Sequence, residues 1–195
     1  MAVENADNLA VAVHRSIDGA IERLVRLYQD ALFSYALRLL RDRFDAQEVV
    51  QDALLRAIRA LTLRYDEERC KDLDLRPWLF RITRNLAYNW RRARRYSAEV
   101  PLTETNDSPG QSFQSQAAAE RMPDDLEQQA SMQMALDRLS SGVRELILLR
   151  FMEEMSYAEI AAVVNSSESS VRGRVFRTLR KLRRALEKIG VRNAM

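Results

Sequence analysis

Arg81, Asn85, Tyr88, Asn89 and Arg92 fall on one side of any helix drawn through that stretch, opposite Leu79, Ile82, Leu86, Trp90 and Ala93. Guanidinium groups alone are enough to neutralise phosphate. Two carboxamides and a phenol among them add groups that hydrogen-bond base edges or stack on an unpaired base. Tyr88 and Trp78 could equally serve to pack neighbouring helices. A second set lies near the C-terminus, where Arg172, Arg174, Arg177, Arg180 and Arg184 are left outside the apolar stripe Val171, Val175, Leu179, Leu182 and Leu186. Other chemistry is poorly supplied. One cysteine (Cys70) and one histidine (His14) make neither a disulfide framework nor a Cys/His zinc site. His14, in a polar N-terminal segment, has no Asp/Ser constellation around it.

Charge follows the same division. The net charge of the 195 residues is +3, but Arg81 to Arg95 holds six arginines and no acid, and Glu168 to Arg184 holds seven basic residues and one acid. Between them Glu99, Glu104, Asp107, Glu120, Asp124, Asp125 and Glu127 face only Arg121. Two basic blocks and an acidic spacer suggest two contacts with one polyanion, bridged by a connector that avoids it. Of 31 basic residues 28 are arginine, whose planar fork suits phosphate and base edges. A GC-rich genome would also raise that ratio, though it would not cluster the charges.

The elements that carry these groups are helical. The 5 glycines and 4 prolines compare with roughly twenty or more at average usage, and residues 20–76 contain neither, which argues against strand-and-turn folds. Ile17, Ala20, Ile21, Leu24, Leu27, Tyr28, Ala31, Leu32, Tyr35 and Leu39 recur at helical spacing. After a break near Asp42-Arg43, a second helix presents Ala46, Val49, Val50, Ala53, Leu54, Ala57, Ile58 and Leu61. Arg64 to Arg76 reads as a polar stretch too charged for a core. Pro77 fits the first turn of a third helix running to about Arg95. None of these can bury its stripe alone, so they should form one bundle. Periodicity disappears after Ser97 and returns with Leu126, Met132, Met134, Leu136 and Leu139. The expected organisation is all-α: an N-terminal extension over 1–16, a bundle over 17–96, a flexible acidic linker over 97–130 and a second small helical domain over 131–190. The N-terminus lacks a signal peptide's basic start and no apolar run is long enough to span a membrane, so a soluble, reduced, intracellular protein is expected.

In the last domain Ser156-Tyr157-Ala158-Glu159 is a capping box that opens a short helix with Ile160, Ala161 and Val164 inward. Asn165 tolerates the left-handed conformation of a tight turn. Ser166 or Ser167 then caps a second helix, about Glu168 to Leu186. This is the architecture of a helix-turn-helix whose second helix enters the major groove amino end first.

These residues resemble a bacterial alternative RNA polymerase sigma factor of the extracytoplasmic-function (ECF) group of the sigma-70 family, over roughly 20–96 and 132–187. The resemblance rests on Leu27-Tyr28 through Leu39-Leu40, on Asp45-Ala46-Gln47-Glu48-Val49-Val50-Gln51-Asp52, on Pro77-Trp78-Leu79-Phe80-Arg81-Ile82, and on Ser156 to Ala161 followed by Val171 to Arg177. It implies that the first bundle is sigma region 2, with Asp45, Glu48, Gln51 and Asp52 docking on the β′ coiled coil of core RNA polymerase. Arg81, Asn85, Tyr88, Asn89 and Arg92 would face the −10 element, while the loop from about Tyr65 to Leu75 captures a flipped base of the non-template strand. The last domain would be region 4, with Ser170, Arg172, Arg174, Phe176 and Arg177 at the −35 element. The acidic linker would thread toward the RNA exit path. The implied partners are the β′ and β subunits of core polymerase, promoter DNA and an anti-sigma factor, often membrane-anchored. No cofactor, metal or small-molecule substrate is implied, and the expected location is cytoplasmic. Gln47 is neutral where relatives usually carry a carboxylate, Gly173 replaces a common serine or lysine, and Ser140 stands where proline is frequent.

Two other classes fit less well. An enzyme such as a serine recombinase would need a nucleophile in an α/β domain, and residues 1–96 show no parallel-strand pattern. A one- or two-component regulator would carry a receiver or ligand-binding domain in their place. Cys70, in the polar stretch, is either an ordinary lone cysteine or a redox sensor.

Overall fold

The computed structural model describes the backbone of residues 9–99 and 139–188, with described side chains ending at Arg94 and Arg184. The acidic linker beyond Glu99, the apolar positions Leu126, Met132, Met134 and Leu136, and the side chain of Leu186 lie outside the described residues. Those residues form helices α1 (Leu9–His14), α2 (Ala20–Leu40), α3 (Arg43–Leu63), α4 (Glu67–Lys71), α5 (Leu75–Glu99), α6 (Ser141–Phe151), α7 (Tyr157–Val164) and α8 (Glu168–Lys188), and no strand. None of these helices is long and apolar enough to cross a membrane. The chain divides into two compact units, the first carrying α1–α5 and the second α6, α8 and most of α7.

In the first unit α2, α3 and α5 pack against one another. Their boundaries are written locally. Gly19 takes a left-handed φ of 74° before α2, and Arg41, also left-handed, ends it with its N–H on the Leu37 carbonyl. Asp42 follows at once as the cap of α3, its Oδ1 accepting the Asp45 N–H at 2.9 Å. The α3 face is the expected one: Ala46, Val49, Val50, Ala53, Leu54, Ala57 and Leu61 are buried. On α5 the buried residues include Leu75, Trp78, Leu79, Phe80, Thr83 and Ala87. The Thr83 hydroxyl is satisfied by the Leu79 carbonyl at 3.0 Å. The Tyr35 and Phe80 rings meet 5.2 Å apart between α2 and α5. Leu24, Leu32, Leu61 and Leu79 are wholly buried, each contributing about 1.5–3 kcal/mol of burial free energy.

The structure departs from these expectations in four places. Ile17, Ile21 and Leu27 are exposed, because the corner at residues 15–19, with Ser16 and Gly19 at positive φ, sets the phase of α2 on Leu24, Tyr28, Leu32, Tyr35 and Leu39. His14 is not in a polar segment: Leu9, Ala10, Val11 and Val13 are buried, α1 packs on α3 and α4, and the His14 Nδ1 stands 2.9 Å from the Leu61 carbonyl. The stretch from Arg64 to Arg76 is not without core, since it contains α4 with Cys70 and Leu75 buried. A five-residue helix is not stable alone; α1 supplies the cover. Burial pushes the Cys70 thiol pKa up, which leaves it less thiolate and less reactive. The helix α5 also continues to Glu99, into the stretch read as linker.

One ion cluster ties α1 to α4. Arg15 forks onto Glu67 at 2.9 and 2.7 Å, and Lys71 reaches the same carboxylate at 2.7 Å. Hydrogen bonds from Arg15 and then Lys71 hold the Glu67 carboxyl down from 4.5 to about 2. A depressed folded-state pKa means that the contribution is complete above the unfolded value of 4.5 and is lost as pH falls toward 2. The thermal midpoint of the chain is therefore expected to exceed that of Glu67→Gln by a small margin at neutral pH, small because the pair is partly exposed. The margin should close on acidification through that window; a margin independent of pH would mean that the cluster contributes nothing.

In the second unit α6 packs on α8. Leu146, Leu149, Met155, Ile160, Val171 and Val175 are buried. The capping box is formed: the Glu159 N–H donates to Ser156 Oγ at 3.2 Å, and the Ser156 N–H to Glu159 Oε2 at 2.7 Å. Asn165 ends α7 at φ 53°, ψ 58°. Ser167 rather than Ser166 caps α8, accepting the Ser170 N–H at 3.3 Å. On α7 Val163 is fully buried and Val164 only half-buried.

Candidate nucleic-acid interface

On α5, Arg81, Asn85, Asn89 and Arg92 are exposed along one face, as their spacing predicts. Tyr88 is half-buried, and the Arg84 guanidinium carbon stands 4.7 Å over its ring. It is thus a braced member of the face rather than a free stacking platform. Trp78 is buried beside Tyr65, ring centroids 5.7 Å apart. Arg69 of α4 lies 3.9 Å over the other ring of that pair, Tyr65. Trp78 therefore packs, and it links the start of α5 to the α4 stretch.

On α3 the four acidic or amide positions divide. Glu48 and Gln51 are exposed, and Asp52 is half-exposed with its Oδ1 accepting Arg56 Nε at 2.9 Å. Asp45 is only 15% exposed and is paired with Arg94 near the far end of α5. Two apolar neighbours were not singled out from the sequence. Phe44 is 80% exposed and Leu55 53%, and the spacing 44, 48, 51, 55 puts both in line with Glu48 and Gln51. The available signal was an apolar residue at each end of a polar helical strip.

On α8, Ser170, Arg172, Phe176 and Arg177 are exposed, as are Arg180 and Arg184. Phe176 is 66% exposed, an unusual cost for a phenyl ring on a free helix and a group suited to a thymine methyl. Arg174 leaves this set. It is half-buried, about 200° around the helix from Arg172, and its Nη2 would stand 3.5 Å from a Cβ added at Gly142 of α6. Gly173 is backed by the Arg177 side chain, 3.3 Å from where its Cβ would be.

Two exposed arginine-rich helix faces, one with carboxamides and one on a capped helix-turn-helix, sit on two separate helical units. Residues 24–96 match the family described as Sigma-70 region 2, and residues 129–182 the family described as Sigma-70, region 4. The chain is 33% identical over 162 residues to the ECF RNA polymerase sigma factor SigL of Mycobacterium tuberculosis, an alignment covering 82% of this chain and 85% of that protein. It is 34% identical over 169 residues to the RNA polymerase sigma-E factor of Streptomyces coelicolor, covering 85% of each. Its fold is similar to that of CnrH, solved in complex with the cytosolic domain of CnrY, with a TM-score of 0.64 at 28% identity over 94% of this chain and 97% of that one. The chain belongs to the sigma-70 family of transcription initiation factors. Within that family it is an ECF sigma factor, an alternative sigma factor that directs transcription initiation. Sigma factors as a family are initiation factors rather than enzymes.

Proposed function

We propose that the exposed α5 face reads the −10 element as an open strand, that α8 reads the −35 element as duplex, and that the outer strip of α3 docks on the β′ subunit of core polymerase. The observation that carries this reading is chemical. The α5 face offers exposed carboxamides (Asn85, Asn89) between guanidiniums (Arg81, Arg92), whereas phosphate binding needs the charges alone. On α8 the reading falls to Ser170, Arg172, Phe176 and Arg177, with Arg174 holding the helix against α6. On α3 it falls to Glu48, Gln51 and Asp52, with Phe44 and Leu55 adding apolar area and Asp45 reaching the partner through the Arg94 pair. The stretch Tyr65–Leu75, held by α1, captures an extruded base. Extrusion costs a few kcal/mol, so the open strand must be bound better than the duplex.

The chain performs no covalent chemistry of its own and needs no cofactor; the polymerase supplies the catalytic ions. It acts in the cytoplasm, where core polymerase and promoter DNA are. The fold it shares with CnrH, itself solved with the cytosolic domain of CnrY, supports control by an anti-sigma factor that covers the docking faces. Two DNA-binding units in one chain gain effective concentration for a two-part promoter, so affinity depends on spacer length.

The test of the −10 assignment is binding of holoenzyme to a fork-junction fragment whose −10 region is single-stranded. Asn85→Ala is expected to lose about 1 kcal/mol on that fragment and nothing on a duplex fragment that ends upstream of it. An equal loss on both would place Asn85 outside the −10 contacts.

A further inference from the structure

Tyr157 is the first residue of α7, held in place by the reciprocal Ser156–Glu159 cap bonds, neither of which uses its side chain. Two guanidinium carbons stand over its ring: Arg150 of α6 at 5.2 Å and Arg172 of α8 at 5.4 Å. Arg150 is fixed in turn, its Nη1 donating to the Met155 carbonyl at 2.9 Å. Arg172 is held from a second direction by Glu168, one turn earlier on α8. An arginine at the amino end of a recognition helix is otherwise a long side chain with many rotamers, and much of that freedom is lost when it forks onto a base. A ring on one flank and a carboxylate on the other restrict it beforehand, while its side chain stays 63% exposed and able to reach DNA.

We propose that Tyr157 is a positioning residue for promoter selectivity: its ring face pre-orients the Arg172 guanidinium for the −35 base pair that this arginine reads, and its hydroxyl plays no part. The proposal rests on the assignment of α8 to the −35 element. It also gives the helix preceding the recognition helix a share in sequence discrimination without touching a base, because preorganisation of a contact raises affinity by lowering the entropy lost on binding.

The experiment uses holoenzyme assembled from the full chain and core polymerase, in competition between two promoter fragments that share the −10 element and carry an intact or a scrambled −35 element. Tyr157→Leu is expected to lower the intact-to-scrambled affinity ratio by about two- to fivefold, the range of one exposed cation–π contact. Tyr157→Phe keeps the ring face and holds the ratio. In an Arg172→Ala background, Tyr157→Leu changes the ratio no further, which a general loosening of the domain would not reproduce. The thermal midpoint is followed for each variant; where leucine lowers it, Tyr157→Gln, a second ringless side chain, repeats the measurement. A loss with phenylalanine equal to that with leucine would overturn the proposal in favour of a hydroxyl–phosphate contact. So would a leucine effect undiminished in the Arg172→Ala background. If Arg172→Ala alone leaves the ratio unchanged, the failure lies with the assignment of α8 itself, and the proposal goes with it.

Discussion

Asp52→Arg is expected to weaken binding of the chain to core RNA polymerase by about 2–5 kcal/mol, the cost of setting a charge against its partner at a desolvated polar contact, and to leave the thermal midpoint nearly unchanged. Asp52 lies on the outer strip of α3 beside Glu48 and Gln51, flanked by the exposed Phe44 and Leu55. Phe44 and Leu55 add apolar area at either end of the docking strip proposed for this helix. The fold has little at stake there. The Asp52–Arg56 pair is solvent-exposed at 48% and 59%, and such pairs are worth about 0–1 kcal/mol. Affinity for core polymerase can be read by titrating labelled chain. Unchanged affinity in Asp52→Arg would place the docking surface elsewhere in the bundle.

The second large effect is at Arg172. Arg172→Ala is expected to cost about 1–3 kcal/mol at the preferred −35 sequence and to relax selectivity at the base pair it reads. Phosphate contacts behave differently: their loss weakens all sequences alike and lowers the salt dependence of binding. Arg180 and Arg184, exposed further along α8, are placed to contribute in that way. Arg174→Ala, in contrast, acts on the packing of α8 against α6 and leaves selectivity in place. An equal loss on intact and scrambled −35 fragments would make Arg172 a phosphate contact.

What could be read from the residues in advance was whatever depends on neighbours within a turn or two. The buried face of α3, the Ser156–Glu159 cap, the left-handed Asn165 and the exposed carboxamides of α5 all follow from spacing and local bonding, and all stand as expected. What escaped depends on groups distant in the chain. Leu9 to Val13 is too short an apolar run to show a period, and only the surfaces of α3 and α4 make it core. The phase of α2 is not fixed by spacing, because Ile17, Ile21 and Leu27 satisfy the helical period as well as the residues that are buried; the corner before Ala20 decides between the two. Asp45 meets Arg94 across 49 residues of chain, so its spacing with Glu48 and Asp52 gave no sign that it is engaged. Arg174 looked like its basic neighbours because charge pattern does not tell which flank of a helix meets α6. The role of the Tyr157 ring likewise needed three helices brought together.

Whether this chain turns core polymerase toward a two-part promoter is read by run-off transcription with purified chain and bacterial core polymerase on a library of promoter fragments. Start sites that share two upstream elements at a fixed separation are expected, with initiation lost when that separation is changed by a few base pairs. Core polymerase that binds the chain tightly and still starts at no shared motif, or that does not bind it at all, would mean that the chain does not direct initiation in this way.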